Sequence, residues 1–533
     1  MDSASVQSEK RESLPTRTVK GSEVDVAAQL TAGADAKLDQ QAALALRRKI
    51  DWHLMPFMCI LYLMTFADKT TLGQSAILGI IPGAHLTQNQ FNWLGSVFYI
   101  SYLVFQYPQN LALQRFPVGK WMSINIFIWA VALLAHAACK SFGALFAVRF
   151  ILGVCEGAIT PGFMIVTSMF YTRAEQTRRV GYWCERCLVL DVASVSAHIR
   201  FPVLMNGFAV IFLGFVAFGV LHTKTHNFMP WQWLMIITGA ITLVTSILFW
   251  FWFPDSPTTA AFLTPEERVL AVQRIQSNQT GVENKQWKRD QFIETLRDPK
   301  VWVMALFAAV VNILNSLTNQ RQLIVSQFGF TPIQTTLIGC VDGVVLILYI
   351  WLGVTLATVK SIGRGYAAIL MCIPALLGCL LVNLLPSHMK VGLLFGYWLS
   401  IFGIAPFAVF LGWVSTLTSG HTKRITTNAI VLIGYSIGNF AGPFVWQKKY
   451  QPRNHVPWDL LSASIGASAV LLFILRYMLD RENKKRDTET RDETYDNVYI
   501  THVGPDGITE QKRVDKAFLD LTDVQNRDFR YVL

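Results

Sequence analysis

Long runs of apolar residues recur along most of the chain and constrain its fold more than any other feature. A membrane-spanning helix needs roughly 20 mostly apolar residues, and twelve runs approach or exceed that length. Six of them precede the middle of the chain, at about 54–80, 91–113, 121–139, 143–170, 203–222 and 233–253, and six follow it, at about 301–321, 333–356, 366–385, 391–417, 425–446 and 459–479. The sequence therefore predicts an all-α polytopic membrane protein with twelve transmembrane helices.

Composition and charge agree with this class. Of the 533 residues, 52% are apolar and 15% are charged, whereas about 25% of residues are charged in soluble domains. Fibrous and disordered classes are excluded by the same figures. The net charge of +11 often indicates nucleic acid as a partner. Here we expect the excess of basic residues to lie in loops on one side of a lipid bilayer, with no nucleic-acid partner.

Polar segments divide the chain into five regions. We predict a disordered cytoplasmic tail at 1–50, a six-helix bundle at 51–253, a cytoplasmic linker at 254–299, a second six-helix bundle at 300–480 and a cytoplasmic tail at 481–533. In the linker, Thr264-Pro265-Glu266-Glu267 is a capping signal that predicts one surface helix to about Ile275. In the second tail, Tyr495–Ile500 followed by Gly504-Pro505-Asp506-Gly507 predicts a small hairpin.

The distribution of Lys and Arg over the short loops predicts the orientation. Basic loops follow the even-numbered spans, as with Arg173, Arg178 and Arg179 after the fourth, whereas Pro82–Gln90 has no basic residue. Because basic loops favour the cytoplasmic side, both termini are expected in the cytoplasm. Lys448, Lys449 and Arg453 break the pattern, but a late loop is a weak topological signal.

Six spans, a linker and six more spans suggest two bundles related by an axis along the membrane normal, with a binding site between them at midplane. This is the plan of major facilitator transporters, although a channel or a membrane enzyme can also have twelve spans. The sequence has no H-E-x-x-H or nucleotide-binding G-x-x-x-x-G-K-[ST] motif, so we expect neither enzyme activity nor a cofactor. Cys184 and Cys187 form a lone C-x-x-C, which is weak support for a metal site, and we expect none.

Ionisable residues within the spans are the candidate functional residues, because a charge in the bilayer core is costly. In the first span, Tyr62, Thr65, Asp68 and Lys69 fall within roughly one third of the helix circumference and can line one cavity. In the fourth span, Arg149 and Glu156 are two turns apart and point the same way.

Two cations and two carboxylates facing one cavity predict an anion site with a titratable partner. Lys69 and Arg149 would bind a carboxylate, and Glu156 or Asp68 would carry a coupled proton. The alternative is that these charges merely neutralise one another within or between helices.

Polar residues in the second half add hydrogen-bonding groups. In the seventh span, Asn312, Asn315, Ser316 and Asn319 form a stripe suited to a ligand, or equally to interhelical hydrogen bonds. Arg321 points away from that stripe and is expected to pair with Asp342 of the eighth span. A shared face of the eleventh span carries three more polar side chains, which we interpret as structural more often than ligand-contacting: Asn428, Tyr435 and Asn439.

Several short motifs resemble those of fungal allantoate-permease-like transporters, in the anion:cation symporter group of the major facilitator superfamily. The resemblance covers about residues 45–486, and the number and order of its motifs make it specific. Its main motifs are Phe66-Ala67-Asp68-Lys69-Thr70-Thr71-Leu72, Gln106-Tyr107-Pro108-Gln109-Asn110, Arg149-Phe150-Ile151-Leu152-Gly153-Val154-Cys155-Glu156-Gly157, Pro254-Asp255-Ser256-Pro257 and Gly420-His421-Thr422-Lys423-Arg424.

The resemblance implies roles for three of these residues. In the wider group, a fourth-helix arginine and glutamate serve anion binding and coupling, and Arg149 and Glu156 match them. A first-helix arginine also binds the anion there, and Lys69 stands at the similar position. Lysine keeps the charge but lacks the bidentate fork of arginine, so the choice of substrate is expected to differ.

One segment departs from the pattern of this family. Its fifth helix usually follows the form G-x-W-F-x-x-N-G, but here residues 184–203 separate Gly181-Tyr182-Trp183 from Leu204-Met205-Asn206-Gly207. The segment contains charged residues, each of which adds about 3 kcal/mol at the centre of a spanning helix. The codons at the two ends of this segment can contain a splice donor and a splice acceptor. Removal of the intervening nucleotides would leave one Phe codon in place of the segment. We interpret 184–203 as a possible retained intron; the alternative is an additional cytoplasmic loop.

The expected function is secondary active transport, with proton-coupled import of a small organic anion such as allantoate, nicotinate or another carboxylate by alternating access. The alternative is a nutrient sensor on the same scaffold, which binds the anion without accumulating it. We expect a multi-pass monomer, with the plasma membrane as the favoured location.

Overall fold

The computed structural model describes residues 40–172, 175, 204–223, 228–276, 288–359, 361–489, 499–503, 509–513 and 521–533. Residues 1–39 and the segment 184–203, with Cys184 and Cys187, lie outside the described residues. Within the described part, eleven helices are long and apolar enough to cross a membrane. A twelfth, Gln88–Arg115, has 28 residues and is richer in Asn and Gln. The prediction of an all-helical polytopic chain is confirmed.

The twelve spans follow the predicted order. We number them from the first to the twelfth as follows: Gln40–Ile77, Gln88–Arg115, Val118–His136, Phe142–Phe170, Leu204–His222, Pro230–Trp252, Pro299–Gln327, Pro332–Thr358, Gly363–Leu384, Lys390–Leu417, His421–Val445 and His455–Thr488. A short helix, Ile80–Gly83, follows the first span.

The spans pack as two bundles of six. In the N-terminal bundle the third span packs on the sixth and the second on the fourth, and in the C-terminal bundle the seventh packs on the eleventh and the ninth on the twelfth. The two bundles meet where the first span contacts the seventh, the second contacts the eleventh and the fifth contacts the eighth. This arrangement confirms the predicted pair of six-helix bundles.

Three spans are interrupted. The breaks in the seventh and tenth spans lie at the interface of the bundles. The fourth span consists of Phe142–Glu156 and Ile159–Phe170. Single 3-10 turns, Ile313–Ser316 and Ile401–Ile404, interrupt the seventh and tenth spans. A 3-10 turn within a helix often marks a functional hinge, and such breaks turn backbone and side-chain groups towards a binding site.

The linker packs against the extended start of the first span. That span begins at Gln40, well before the predicted residue 54, because Leu46 and Ile50 are buried and Lys49 pairs with Glu267 at 2.6 Å. The predicted capping box is present: the Glu267 amide donates to Thr264 Oγ1, and Glu267 Oε2 accepts from the Thr264 amide. The linker helix that it caps spans Pro265–Gln276. A second linker helix, Arg289–Arg297, was not predicted.

The C-terminal tail contains more structure than the charge pattern indicated. Strands Tyr499–Val503 and Thr509–Arg513 pair antiparallel, which confirms the hairpin a few residues further on than predicted. Residues 521–533, here called the C-terminal strap, pack on the linker side of the C-terminal bundle. Asp523 contacts Lys300 at 3.1 Å and Lys423 at 2.9 Å, and the Trp413 indole donates to the Val532 carbonyl.

Contacts between the bundles close the end that is remote from the linker. The Asn92 amide donates to the Trp446 carbonyl at 2.6 Å and accepts from Gln320 at 2.9 Å. Gly95 favours this approach, since a Cβ there would lie 2.9 Å from Asn319 Nδ2 and would displace that side chain. These contacts hold the second span to the seventh span and to the end of the eleventh, at the side opposite the linker.

Candidate functional site

A cavity lies between the two bundles. Both bundles contribute to its wall, which joins one cation and several hydroxyl and amide groups to an apolar surface. We call it the central cavity, and its lining residues are Tyr62, Thr65, Phe66, Lys69, Tyr99, Asn206, Val311, Asn312, Leu314, Asn315, Thr318, Leu346, Gly403, Ile404, Phe407, Ala408, Leu411 and Tyr435. A mostly apolar cavity with a few convergent polar groups is typical of a small-molecule site.

Lys69 is the one cation among the described residues of this wall. Its Nζ lies 2.6 Å from Glu156 Oε1, so the first and fourth spans are joined by an ion pair. The Lys69 side chain is 23% exposed, whereas that of Glu156 is 3% exposed. The ammonium also lies 5.6 Å from the centroid of the Phe98 ring. The pair therefore presents its cationic end to the cavity and keeps its carboxylate inside the N-terminal bundle.

Asp68 and Arg149 lie behind this pair rather than on the cavity wall, which corrects the expectation that all four charges face one cavity. Both residues are 3% exposed. Arg149 donates to Thr71 Oγ1 at 3.4 Å, and the charged groups that act on Asp68 are Glu156, Arg149 and Lys69. Adjacent residues on a helix differ by about 100° in direction, so Asp68 points into the bundle when Lys69 points into the cavity.

The asparagine stripe is divided between the cavity and the bundle interface. Asn312 and Asn315 line the cavity, and Asn439 of the eleventh span hydrogen-bonds to both. Thr318 donates to Asn315 Oδ1 at 2.9 Å. Asn319 does not line the cavity but packs against Gly95. The first two members of the stripe therefore reach the cavity and also form interhelical hydrogen bonds.

The cavity also contains residues that the sequence reasoning missed. Tyr62 lines it as predicted, but Tyr99, Thr318 and Phe407 had not been singled out. Tyr435, interpreted as structural, lies on the wall, and its ring contacts those of Phe407 and Tyr99. Thr318 lies one turn after Asn315, so the helical spacing of the stripe could have identified it, whereas aromatic residues in an apolar span give no such signal.

The predicted pairing of Arg321 with Asp342 is confirmed. Arg321 Nε lies 3.6 Å from Asp342 Oδ2, and both residues are buried in the C-terminal bundle. This second buried ion pair stands between the seventh and eighth spans, near the interface of the bundles.

Two six-helix bundles around a central cavity define a membrane-transporter fold, and comparisons with known proteins agree. A profile of the Major Facilitator Superfamily matches residues 58–184 and 203–443. The chain belongs to the Major Facilitator Superfamily.

Curated relatives and solved structures resemble the chain over most of its length. The allantoate permease and a thiamine pathway transporter of Saccharomyces cerevisiae are both 31% identical, with 92% and 91% of this chain and 86% of each relative covered. The high affinity cysteine transporter of the same yeast is 28% identical over 92% of this chain and 91% of its own length. Among solved structures, the partially occluded inward-open xylose transporter XylE of E. coli has a TM-score of 0.59 at 12% identity, with 79% of this chain and 97% of XylE covered.

Proposed function

We propose that this protein imports a small organic anion together with protons by alternating access. The observation that carries the proposal is the Lys69–Glu156 ion pair, whose cation is on the wall of the central cavity and whose carboxylate is buried. The similarity to an allantoate permease supports a carboxylate as the substrate. Relatives named for thiamine-pathway and cysteine transport indicate that substrates differ within this group.

Exchange of partners at Lys69 would couple the anion to the proton. A carboxylate that reaches Lys69 competes with Glu156 for the same ammonium. Glu156 then faces the cost of a buried charge without a partner, which amounts to several kcal/mol. Uptake of a proton removes this cost, so that the anion and the proton enter the site together. In this scheme Arg149 neutralises Asp68 behind the pair, and Asp68 is the second candidate for the proton.

The asparagines and aromatic rings would orient the rest of the substrate. Asn312 and Asn315 offer amide groups from the C-terminal bundle, and Tyr62, Tyr99 and Tyr435 offer hydroxyl groups. A ligand held by Lys69 and by the asparagines contacts both bundles, and its binding can therefore influence how the bundles rock against each other. We propose the plasma membrane as the location, with the linker side and both termini in the cytoplasm.

Uptake of labelled carboxylates by yeast cells tests this proposal. The panel contains allantoate, nicotinate and cysteine, measured at acid and at neutral pH. We expect accumulation that is faster at acid pH in the parent chain. Glu156→Gln should abolish accumulation or its dependence on pH, because the amide cannot take up a proton. Glu266→Gln serves as the matched control, since Glu266 is exposed on the linker helix.

The possible results test the import of the anion and its coupling to protons separately. If the chain reaches the cell surface and accumulates none of the panel, import of these carboxylates is refuted. If it accumulates an anion and Glu156→Gln retains the full stimulation by acid, Glu156 does not carry the proton. Binding without accumulation would instead support a sensor.

A further inference from the structure

A second, smaller cavity adjoins the central cavity. It shares four lining residues with the central cavity, namely Phe66, Thr318, Leu346 and Ile404. Residues of both bundles line it, and Arg321 and Asp342 are its charged members. We call it the side cavity. A ligand in the central cavity therefore has an adjoining space that carries a second cation.

Arg321 is poorly partnered for a buried arginine. It is 7% exposed, and its closest approach to Asp342 is 3.6 Å, which is longer than a hydrogen bond. Its Nε has no hydrogen-bond partner among the described residues. A buried N–H group without a hydrogen bond is costly, because it has lost its contact with water and has gained no other acceptor.

Asp342, in contrast, has hydrogen-bond donors other than Arg321. Trp398 Nε1 donates to Asp342 Oδ1 at 2.8 Å, and the Tyr397 hydroxyl donates to Oδ2 at 3.4 Å. These two donors come from the tenth span and hold the carboxylate in place. If Arg321 turned towards another anion, Asp342 would keep both hydrogen bonds. The pair is therefore arranged so that the cation can exchange its partner while the carboxylate stays.

We propose that Arg321 is a second anion-binding residue, which takes a carboxylate group of the bound substrate in exchange for Asp342. The planar guanidinium group suits this role because it offers two parallel N–H groups to a carboxylate. The proposal rests on the proposed transport of organic anions and adds an anchor on the C-terminal bundle to that on the N-terminal bundle, Lys69. An anion that reaches both cations bridges the bundles, which is how binding would be linked to their relative movement.

The competing explanation is that Arg321 and Asp342 only neutralise each other. That explanation predicts a pair joined by direct hydrogen bonds, since a purely structural pair gains most from close geometry. The observed distance of 3.6 Å and the unpartnered Nε fit an exchangeable cation better.

The test compares four variants of the full-length chain: Arg321→Gln, Arg321→Lys, Asp342→Asn and the double variant Arg321→Gln/Asp342→Asn. Each is purified in detergent, and the rise in its unfolding temperature is measured with increasing allantoate, nicotinate, succinate or acetate. Uptake is measured in parallel in cells. Arg364→Gln is the matched control, because the Arg364 side chain donates to Thr416 and to the Gly412 carbonyl at the linker side, away from both cavities.

The double variant has no net change in charge. We expect it to bind each acid that stabilises the parent chain with about 10- to 100-fold weaker affinity than the parent chain does. This range corresponds to the loss of a hydrogen bond to a charged group. Arg321→Lys should also be weaker, since lysine lacks the bidentate geometry. Asp342→Asn should bind at least as tightly as the parent chain, because it lacks the competing carboxylate. If either single variant fails to fold, the double variant still decides.

Three results would refute the role of Arg321, or would distinguish it from the proposed transport function. A double variant that binds the acid with parental affinity would show that the pair only neutralises charge. Absence of stabilisation of the parent chain by every acid would refute a carboxylate site. Stabilisation that is lost in the double variant, together with no uptake by the parent chain, would leave Arg321 as a binding residue and refute transport.

Discussion

Lys69 and Glu156 are joined by an ion pair of 2.6 Å between the first and fourth spans, and only the lysine of the two lines the central cavity. The carboxylate is thus reachable through exchange of its partner rather than by direct contact with the cavity. This difference in depth gives the two residues separate tasks in the proposed mechanism. In that mechanism the anion binds Lys69 first, and Glu156 then loses its partner and takes up a proton.

Removal of one member of this pair should cost more stability than removal of both. Lys69→Gln leaves the Glu156 carboxylate buried without its ammonium, at a cost of about 3–5 kcal/mol. In Lys69→Gln/Glu156→Gln no charge is stranded, so most of that loss should be recovered. Uptake should be lost in both variants, because neither has the cation. Thermal unfolding in detergent measures the stability, and a double variant no more stable than Lys69→Gln would contradict the prediction.

Close packing of the eleventh span on the seventh should depend on Gly438. A Cβ at this position would overlap the Ala309 carbonyl oxygen. Gly438→Ala should therefore push the helices apart and destabilise the protein by roughly 1–3 kcal/mol, as overpacking usually does.

Gly466→Ala in the twelfth span is the control for the glycine prediction. No atom lies within 4 Å of a Cβ built there. This variant should be neutral or up to about 1 kcal/mol more stable, since alanine favours a helix over glycine. Equal unfolding temperatures for the two variants would refute the packing argument.

The C-terminal strap should make stability depend on pH in acid. Burial alone would raise the pKa of Asp523, but Lys300 and Lys423 outweigh burial and hold the pKa below its usual value. A carboxyl group with a lowered folded pKa gives stability that is complete above the unfolded pKa of about 3.9. That stability is lost as the pH falls through the folded value. Asp523→Asn should thus lower the unfolding temperature at neutral pH, and the difference should shrink in acid.

An exposed carboxylate provides the control for the strap. Asp487 pairs with Arg530, and its side chain is 63% exposed. Such surface pairs contribute about 0–1 kcal/mol, so Asp487→Asn should change the unfolding temperature little at any pH. A destabilisation by Asp523→Asn that is constant across the acid range would contradict the assignment to its charge.

The sequence predicted the spans well, but it predicted poorly how far the charged residues lie from the central cavity. Both results have physical reasons. An apolar run of sufficient length has few alternatives to a membrane span, so the twelve spans could be read directly. Helical spacing placed Arg149 and Glu156 on one face, but their distance from the cavity depends on how the first span packs on the fourth. Arg321 could be assigned to Asp342 because a buried charge needs an opposite one. The strap was missed because Asp523 becomes a buried partner of Lys423 only through contacts between distant parts of the chain.

The segment 184–203 lies outside the described residues, and we keep the hypothesis that it is a retained intron. The superfamily profile matches residues up to 184 and again from 203, which supports it. We expect most transcript reads that cross from Trp183 to Leu204 to lack the segment and to encode one Phe in its place. The shortened chain should then reach the cell surface in larger amounts than the full chain, because it carries no charges into the fifth span. Uniform presence of the segment in the reads, with equal surface expression of both chains, would instead establish an additional loop.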